Sequence, residues 1–282
     1  MENKGSKKVW LITGCSSGFG KELVTQLSAK GEQVIATARN IDSLKYTDAA
    51  NVLKLKLDVT NAADIKNVVD TSIAKFGRID VLINNAGYGQ GGALEEVSDE
   101  AIRVQFETNV FGVINLTKAV LPQMRKQRSG TIQVLSSIAG LISSAGFGIY
   151  NASKFALEGL FEAVAAEVAH LNIKVTLIEP GPFRTEFLGG SIKVAESIDD
   201  YQKGAVGTTR NYIASMSNKQ AGNPEKAAEF IIEVAEAEKA PLRLLLGRSA
   251  WERYQNKLNN ELKNLESSKH YALDADFTDP SK

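Results

Sequence analysis

Short runs of apolar and β-branched residues alternate along this chain with longer stretches in which apolar positions recur every three or four residues. The short runs fall at 8–13, 33–38, 52–57, 81–84, 130–136 and 173–179 and predict strands. Several are apolar without alternation, the pattern of a strand covered on both faces of a parallel sheet. Helical periodicity fills 18–30, 62–76, 99–126 and 150–170. Local chemistry supports these limits. Asn61 and Ser98 each stand where a helix N-cap belongs, and Asn223-Pro224-Glu225 reads as cap, first helical position and first-turn acid. The alternation implies an α/β fold: a doubly wound parallel sheet with right-handed crossovers.

Two regions break the rhythm. Residues 186–222 show no clear period and mix Gly, Ser and Asp with Phe187, Tyr201, Tyr212 and Met216, which predicts a substrate lid or binding loop. A last strand is predicted at 242–246, then a charged helix at 251–265 and a frayed end. The expected organisation is one domain over 1–247, with 248–282 as its C-terminal helix and tail.

Composition narrows the function. Lysine plus arginine and aspartate plus glutamate number 33 each, so net charge gives no reason to expect nucleic acid or an anionic membrane as partner. Lys4, Lys7 and Lys8 read as a solvated lead-in. The apolar run that follows them is too short for a secretion signal, and no run is long enough to span a bilayer. The single cysteine, Cys15, excludes an internal disulfide and fits a reducing, cytoplasmic setting. With only His170 and His270 beside it, no zinc-type cluster is expected, and no metal site is assigned.

The candidate chemistry starts between the first strand and the first helix, at Thr13-Gly14-Cys15-Ser16-Ser17-Gly18-Phe19-Gly20. Glycines let backbone approach a ligand closely, and the free N–H groups of the helix start favour a pyrophosphate. The spacing is Gly-x3-Gly-x-Gly, not that of the common dinucleotide fingerprint or of a P-loop. Taken alone it is equally a strand–helix turn with glycines for packing. Cys15 within it reads as a small buried filler. Arg39 follows the second strand, where an acid would bind a ribose 2′-hydroxyl. A cation there suits a 2′-phosphate, so NADP(H) is favoured over NAD(H), on one residue that is otherwise an ordinary surface arginine.

A second constellation lies in the middle of the chain. Tyr150 and Lys154 are the only Tyr-x3-Lys pair, four apart on one helix face, and they follow a strand ending in Ser136-Ser137. A carbonyl that accepts hydride becomes an alkoxide and must take a proton. A phenol can supply it, and a nearby ammonium favours the phenolate that remains. A serine hydroxyl can hydrogen-bond the developing oxyanion. The plain alternative is an exposed tyrosine and lysine beside a turn.

Together these residues resemble the short-chain dehydrogenase/reductase family. The resemblance is close over about 8–185 and rests on an ordered set: the glycine loop, Asn84-Asn85-Ala86-Gly87 after the fourth strand, Asn109, Ser137, Tyr150-x3-Lys154 and Pro180-Gly181. It implies a single-domain Rossmann fold with a C-terminal helical extension. It implies catalytic roles for Asn109, Ser137, Tyr150 and Lys154: Tyr150 as acid/base, Lys154 lowering its pKa and holding the nicotinamide ribose, Ser137 orienting the carbonyl, Asn109 holding a relay water. Cofactor contacts implied the same way are Gly14, Ser16, Ser17, Gly18, Phe19, Gly20, Asp58, Val59, Asn85, Ala86, Gly87, Tyr150, Lys154, Pro180, Gly181, Phe183 and Thr185, with Arg39 for the 2′-phosphate. The loop wording resembles the branch with steroid and retinol dehydrogenases, whose substrates are not carried over. The expectation is an NADP(H)-dependent carbonyl reductase, reversible as an alcohol dehydrogenase, acting on a hydrophobic ketone or aldehyde. A cofactor-binding sensor without catalysis and an epimerase or dehydratase stand as alternatives. A homodimer or homotetramer is usual for such proteins.

Overall fold

The computed structural model describes residues 7–276, so Lys4 of the lead-in and the end of the tail lie outside the described residues. In chain order the elements are β1 Val9–Ile12, α1 Gly18–Ala29, β2 Gln33–Ala38, β3 Val52–Lys56, α2 Ala62–Phe76, β4 Val81–Asn84, β5 Gly89–Gly91, α3 Asp99–Phe106, α4 Gly112–Gln127, β6 Gly130–Leu135, α5 Gly148–Val168, β7 Ile173–Pro180, β8 Ile192–Val194, α6 Asp199–Gln202, α7 Ala205–Met216, α8 Pro224–Glu236, β9 Arg243–Leu246 and α9 Arg248–Leu273. All seven predicted strands join one sheet in the order β3-β2-β1-β4-β6-β7-β9. Every pairing in it is parallel, for example Leu11 with Ile35 of β2 and Leu82 of β4.

Burial explains why these runs are apolar throughout. Along β1, Val9 and Leu11 enter a core shared with Val68 of α2, Leu116 of α4 and Phe161 of α5. Trp10 and Ile12 point the other way, into a core shared with Leu23 of α1 and Ile231 of α8. Successive side chains on a strand face opposite sides, so a strand sandwiched by helices must be apolar at every position. Each large side chain buried this way contributes about 1.5–3 kcal/mol.

The predicted caps form. Asn61 accepts from the N–H groups of Ala63 and Asp64, Ser98 from Ala101, and Asn223 from Glu225 and Lys226. Each such cap stabilises its helix by about 1 kcal/mol. Four expectations need correction. The stretch 99–126 is two helices, because a π turn at Glu107–Phe111 separates α3 from α4. Residues 186–222 are not irregular: they hold a π turn at Phe187–Ser191, then β8, α6 and α7. The C-terminal helix α9 runs for 26 residues, well past the predicted end. Finally, β5 and β8 were not predicted; they pair with each other, in parallel, as a separate two-stranded sheet. Among the described residues no helix is long and apolar enough to cross a membrane.

Candidate active site

Parallel strands deliver their loops to the same sheet end, and the order β3-β2-β1-β4-β6 reverses chain direction between β1 and β4. A crevice opens at such a switch point. The loops after β1 and β4 are tied together across it. Thr13 Oγ1 accepts from the N–H groups of Asn85 and Ala86, both at 2.9 Å. Asn85 Nδ2 donates to the carbonyls of Thr13 (2.7 Å) and Gly14 (3.0 Å). Gly14 has φ +68°, and a Cβ there would lie 2.9 Å from Ala86 Cα, so this close approach needs glycine. At the start of α1 Ser17 makes no side-chain cap bond, and no acid occupies the first turn. The helix therefore presents open N–H groups and a positive dipole end toward the crevice.

A cavity of about 840 Å³ runs from this loop across the sheet end. Every predicted cofactor contact except Gly20 lines it, with Arg39 and Asp58 at one end and Ser137, Tyr150 and Lys154 at the other; Asn109, the remaining predicted catalytic residue, is not on its wall. A Cβ on Gly20 would sit 2.3 Å from the carbonyl of Gly14, so Gly20 shapes the loop through packing. At the Arg39 end, burial raises the Asp58 carboxyl. The N–H and hydroxyl of Thr60 (2.9 and 2.7 Å), with the charges of Arg39 and Lys56, outweigh it, so the group stays below its ordinary pKa.

At the other end α5 carries Tyr150 and Lys154 one turn apart, and β6 leads into Ser137. Ser137 caps a short turn, its hydroxyl accepting from the N–H of Ala139 at 3.0 Å. The Tyr150 ring packs on Phe147 (6.1 Å between ring centres) and on Phe187 (5.5 Å). Burial pushes the Tyr150 phenol up to about 12, against a downward pull from its hydrogen bond with Ser137. Burial is thus the larger of the two influences on the phenol. Lys154 Nζ donates instead to the carbonyl of Leu135 at 2.6 Å and stands 5.8 Å from the Tyr150 ring centre. Burial brings the ammonium down to about 8, while the charge of Glu158 raises it.

Asn109 sits inside the π turn. Its side chain accepts from the N–H of Tyr88 (3.1 Å), donates to that residue's carbonyl (2.9 Å) and reaches Ser153 Oγ (3.4 Å). It thereby fixes the loop after β4 against α5. Cys15 is fully buried and its thiol is pushed up to about 12 by that burial, in keeping with a filler.

The segment 186–222 is fastened at places that the sequence did not signal, and Tyr201 and Thr209 add side-chain bonds to Glu95 (2.8 Å) and to the carbonyl of Ala145 (2.7 Å). β8 pairs with β5, and Glu96 locks the next segment: it accepts from the N–H groups of Ala93 (2.6 Å) and Ile198 (2.9 Å) and pairs with Arg210 of α7 at 2.7 Å. Burial pushes the Glu96 carboxyl up, and these donors more than reverse it, holding the group below its ordinary range.

The pattern that describes short chain dehydrogenases matches residues 8–195 of this chain. Over 242 residues the chain is 39% identical to a 3-ketodihydrosphingosine reductase of Bacteroides thetaiotaomicron, covering 85% of this chain and 88% of that protein. It is 38% identical over 251 residues to human retinol dehydrogenase 8, covering 83% and 79%. A crystal structure of a short-chain dehydrogenase from Streptomyces avermitilis is 42% identical, with a TM-score of 0.89 over 96% of this chain and all of that one. The chain belongs to the short-chain dehydrogenase/reductase family of oxidoreductases.

Proposed function

We propose that this protein is an NADP(H)-dependent reductase of hydrophobic ketones or aldehydes, with Tyr150 as proton donor. The observation that carries this reading is one continuous cavity with an open helix start and Arg39 at one end and the buried Tyr150 and Lys154 beside a half-buried Ser137 at the other. The residues fit a dinucleotide: first-turn N–H groups for the pyrophosphate, Asp58 and Val59 for the adenine, Asn85, Ala86 and Gly87 along the adenosine, and Pro180, Gly181, Phe183 and Thr185 at the carboxamide. When bound, such a cofactor supplies or removes a hydride at the carbonyl carbon.

The chain's own residues do the rest. Tyr150 holds its proton at neutral pH, as a donor to an incipient alkoxide must. Ser137 is placed to hydrogen-bond the same oxygen. Lys154 keeps a positive charge beside the phenolate left behind, and Asn109 holds the loop against α5 that keeps this end closed. Phe147, Phe187, Leu188 and Tyr212 give the substrate end its apolar wall.

The test is consumption of NADPH and of NADH by the purified protein against a panel of ketones and aldehydes. NADPH oxidation with a hydrophobic carbonyl is the expected result. Tight cofactor binding with no turnover across the panel would instead make the protein a cofactor-binding sensor. Arg39→Asp is expected to turn the preference toward NADH by about 10–100-fold, the worth of a charge-assisted phosphate contact. An unchanged ratio of the two kcat/KM values would remove Arg39 from the 2′-phosphate site.

Arg253 of α9 stands on the substrate wall, where its guanidinium reaches only the hydroxyl of Ser144, at 3.4 Å, and pairs with no carboxylate among the described residues. Arg253→Ala is accordingly expected to raise KM about tenfold for carbonyl substrates that carry a carboxylate and to leave neutral ones unchanged. Equal KM changes for both kinds would show that the arginine reads no charge.

A further inference from the structure

Behind the catalytic end lies a cluster of carboxyl groups that the reaction described above does not use. Glu179 is the penultimate residue of β7 and is completely buried, and Glu158 of α5 is 5% exposed. One guanidinium serves them both. Arg243 Nε of β9 is 3.1 Å from Glu158 and 3.5 Å from Glu179, while its Nη2 pairs at 2.5 Å with the solvent-facing Glu162 of α5. Tyr254 of α9 closes the far side without adding a compensating charge. Two buried carboxylates against one shared cation leave an excess negative charge in a low dielectric, which a proton relieves at least cost.

Hydrogen bonding says where that proton resides. Both oxygens of Glu158 are occupied: Ser136 Oγ donates to one at 2.5 Å and Arg243 to the other. Neither oxygen of Glu179 accepts a hydrogen bond, and Arg243 Nε, 3.5 Å away, supports it through charge alone. An anion there would be unsatisfied, whereas a protonated Glu179 carries no charge and has a hydroxyl to donate to Glu158. Burial, followed by the charge of Glu158, accordingly drives the Glu179 carboxyl well above its ordinary range, and Arg243 only partly opposes this.

The cluster touches the catalytic end at three points. Ser136, which donates to Glu158, directly precedes Ser137. Glu179 directly precedes Pro180, whose carbonyl accepts from Ser137 Oγ at 3.5 Å. Glu158 lies one helical turn beyond Lys154, and its charge favours the ammonium. We propose that Glu158 and Glu179 hold one proton between them as a carboxylic acid–carboxylate pair clamped by Arg243, and that this pair positions Ser137 and keeps Lys154 charged. The role toward Lys154 rests on the oxidoreductase reading above; the shared proton does not.

Two measurements on the full chain separate these parts. Infrared spectra at neutral pH should show the carbonyl stretch of a protonated carboxylic acid, persisting into mildly alkaline solution and absent from Glu179→Gln. Wild-type protein without that band would overturn the shared proton whether or not the enzyme turns over. The second measurement is kcat/KM and NADPH affinity against pH. Glu158→Gln should move the alkaline limb down by about one pH unit, since the charge supporting the Lys154 ammonium is gone. Glu179→Ala should lower kcat, and Glu179→Gln should recover it, because the amide still donates to Glu158. An alkaline limb that stays in place in Glu158→Gln, or a glutamine no better than alanine at 179, would reduce the cluster to a packing element. A wild-type chain with no turnover would defeat the oxidoreductase reading, and the infrared band would still decide the proton.

Discussion

Replacing Tyr150 with phenylalanine is expected to lower kcat for carbonyl reduction by about 10²–10⁴-fold, the range that a positioned acid contributes, while leaving NADPH binding and melting temperature close to wild type. The hydroxyl is the only part removed. Its ring stays between Phe147 and Phe187, so the packing of that wall persists. The loss should fall on kcat, because the missing hydrogen bond matters most when the oxygen carries charge. Steady-state kinetics, together with cofactor titration by fluorescence, decide the matter. A variant that keeps more than a tenth of wild-type kcat would mean that another group supplies the proton.

Lys154→Met is expected to abolish turnover and, in the absence of cofactor, to make the protein more stable. Lys154 is 6% exposed, and burial lowers the pKa of its ammonium from 10.5 to about 8. At about 1.4 kcal/mol per pH unit, the charged form costs the fold on the order of 3 kcal/mol near neutrality. Methionine is neutral and of similar length, and it leaves the carbonyl of Leu135 without its donor, so the net gain should be about 1–3 kcal/mol. Proton counts set the pH dependence. Below pH 8 both folded and unfolded chains hold the proton, and the penalty is complete. Between about 8 and 10.5 only the unfolded chain holds it, so wild-type stability gains with rising pH and the advantage of the variant shrinks. Denaturant titrations of both proteins at pH 7 and pH 9.5 would show this. A methionine variant less stable than wild type at pH 7 would mean that the lysine is a structural asset rather than a functional load.

Most of the architecture was readable because the forces that build it act locally. Asn61, Ser98 and Asn223 satisfy N–H groups two or three residues away, so their role is written beside them. The strands covered on both faces betray themselves by having no polar side. The group proposed for catalysis stood out for a related reason: Tyr150 and Lys154 share a helix face, and Ser137 lies two residues past the end of β6. Where partners are distant, the signal fades. β5 and β8 are three residues each and about a hundred residues apart, so neither carries a pattern of its own. The π turn around Asn109 leaves the apolar period of its flanking helices intact and hid within one long predicted helix. Glu179 ends a run that otherwise reads as an apolar strand, and only the fold brings Glu158 and Arg243 to it.

The fastening of the segment 186–222 bears on how such an enzyme diversifies. β5 and β8 hold together by main-chain hydrogen bonds, which are indifferent to side-chain identity. Glu96 likewise grips two backbone N–H groups, and Arg210 is the one side chain of the segment it requires. The segment is thus held by its backbone and by Arg210, Tyr201 and Thr209, and the side chains it turns into the cavity, Phe187, Leu188 and Tyr212 among them, are free to change without unhinging it. Selection or a protein engineer can redraw the substrate wall while the frame that closes it stays the same.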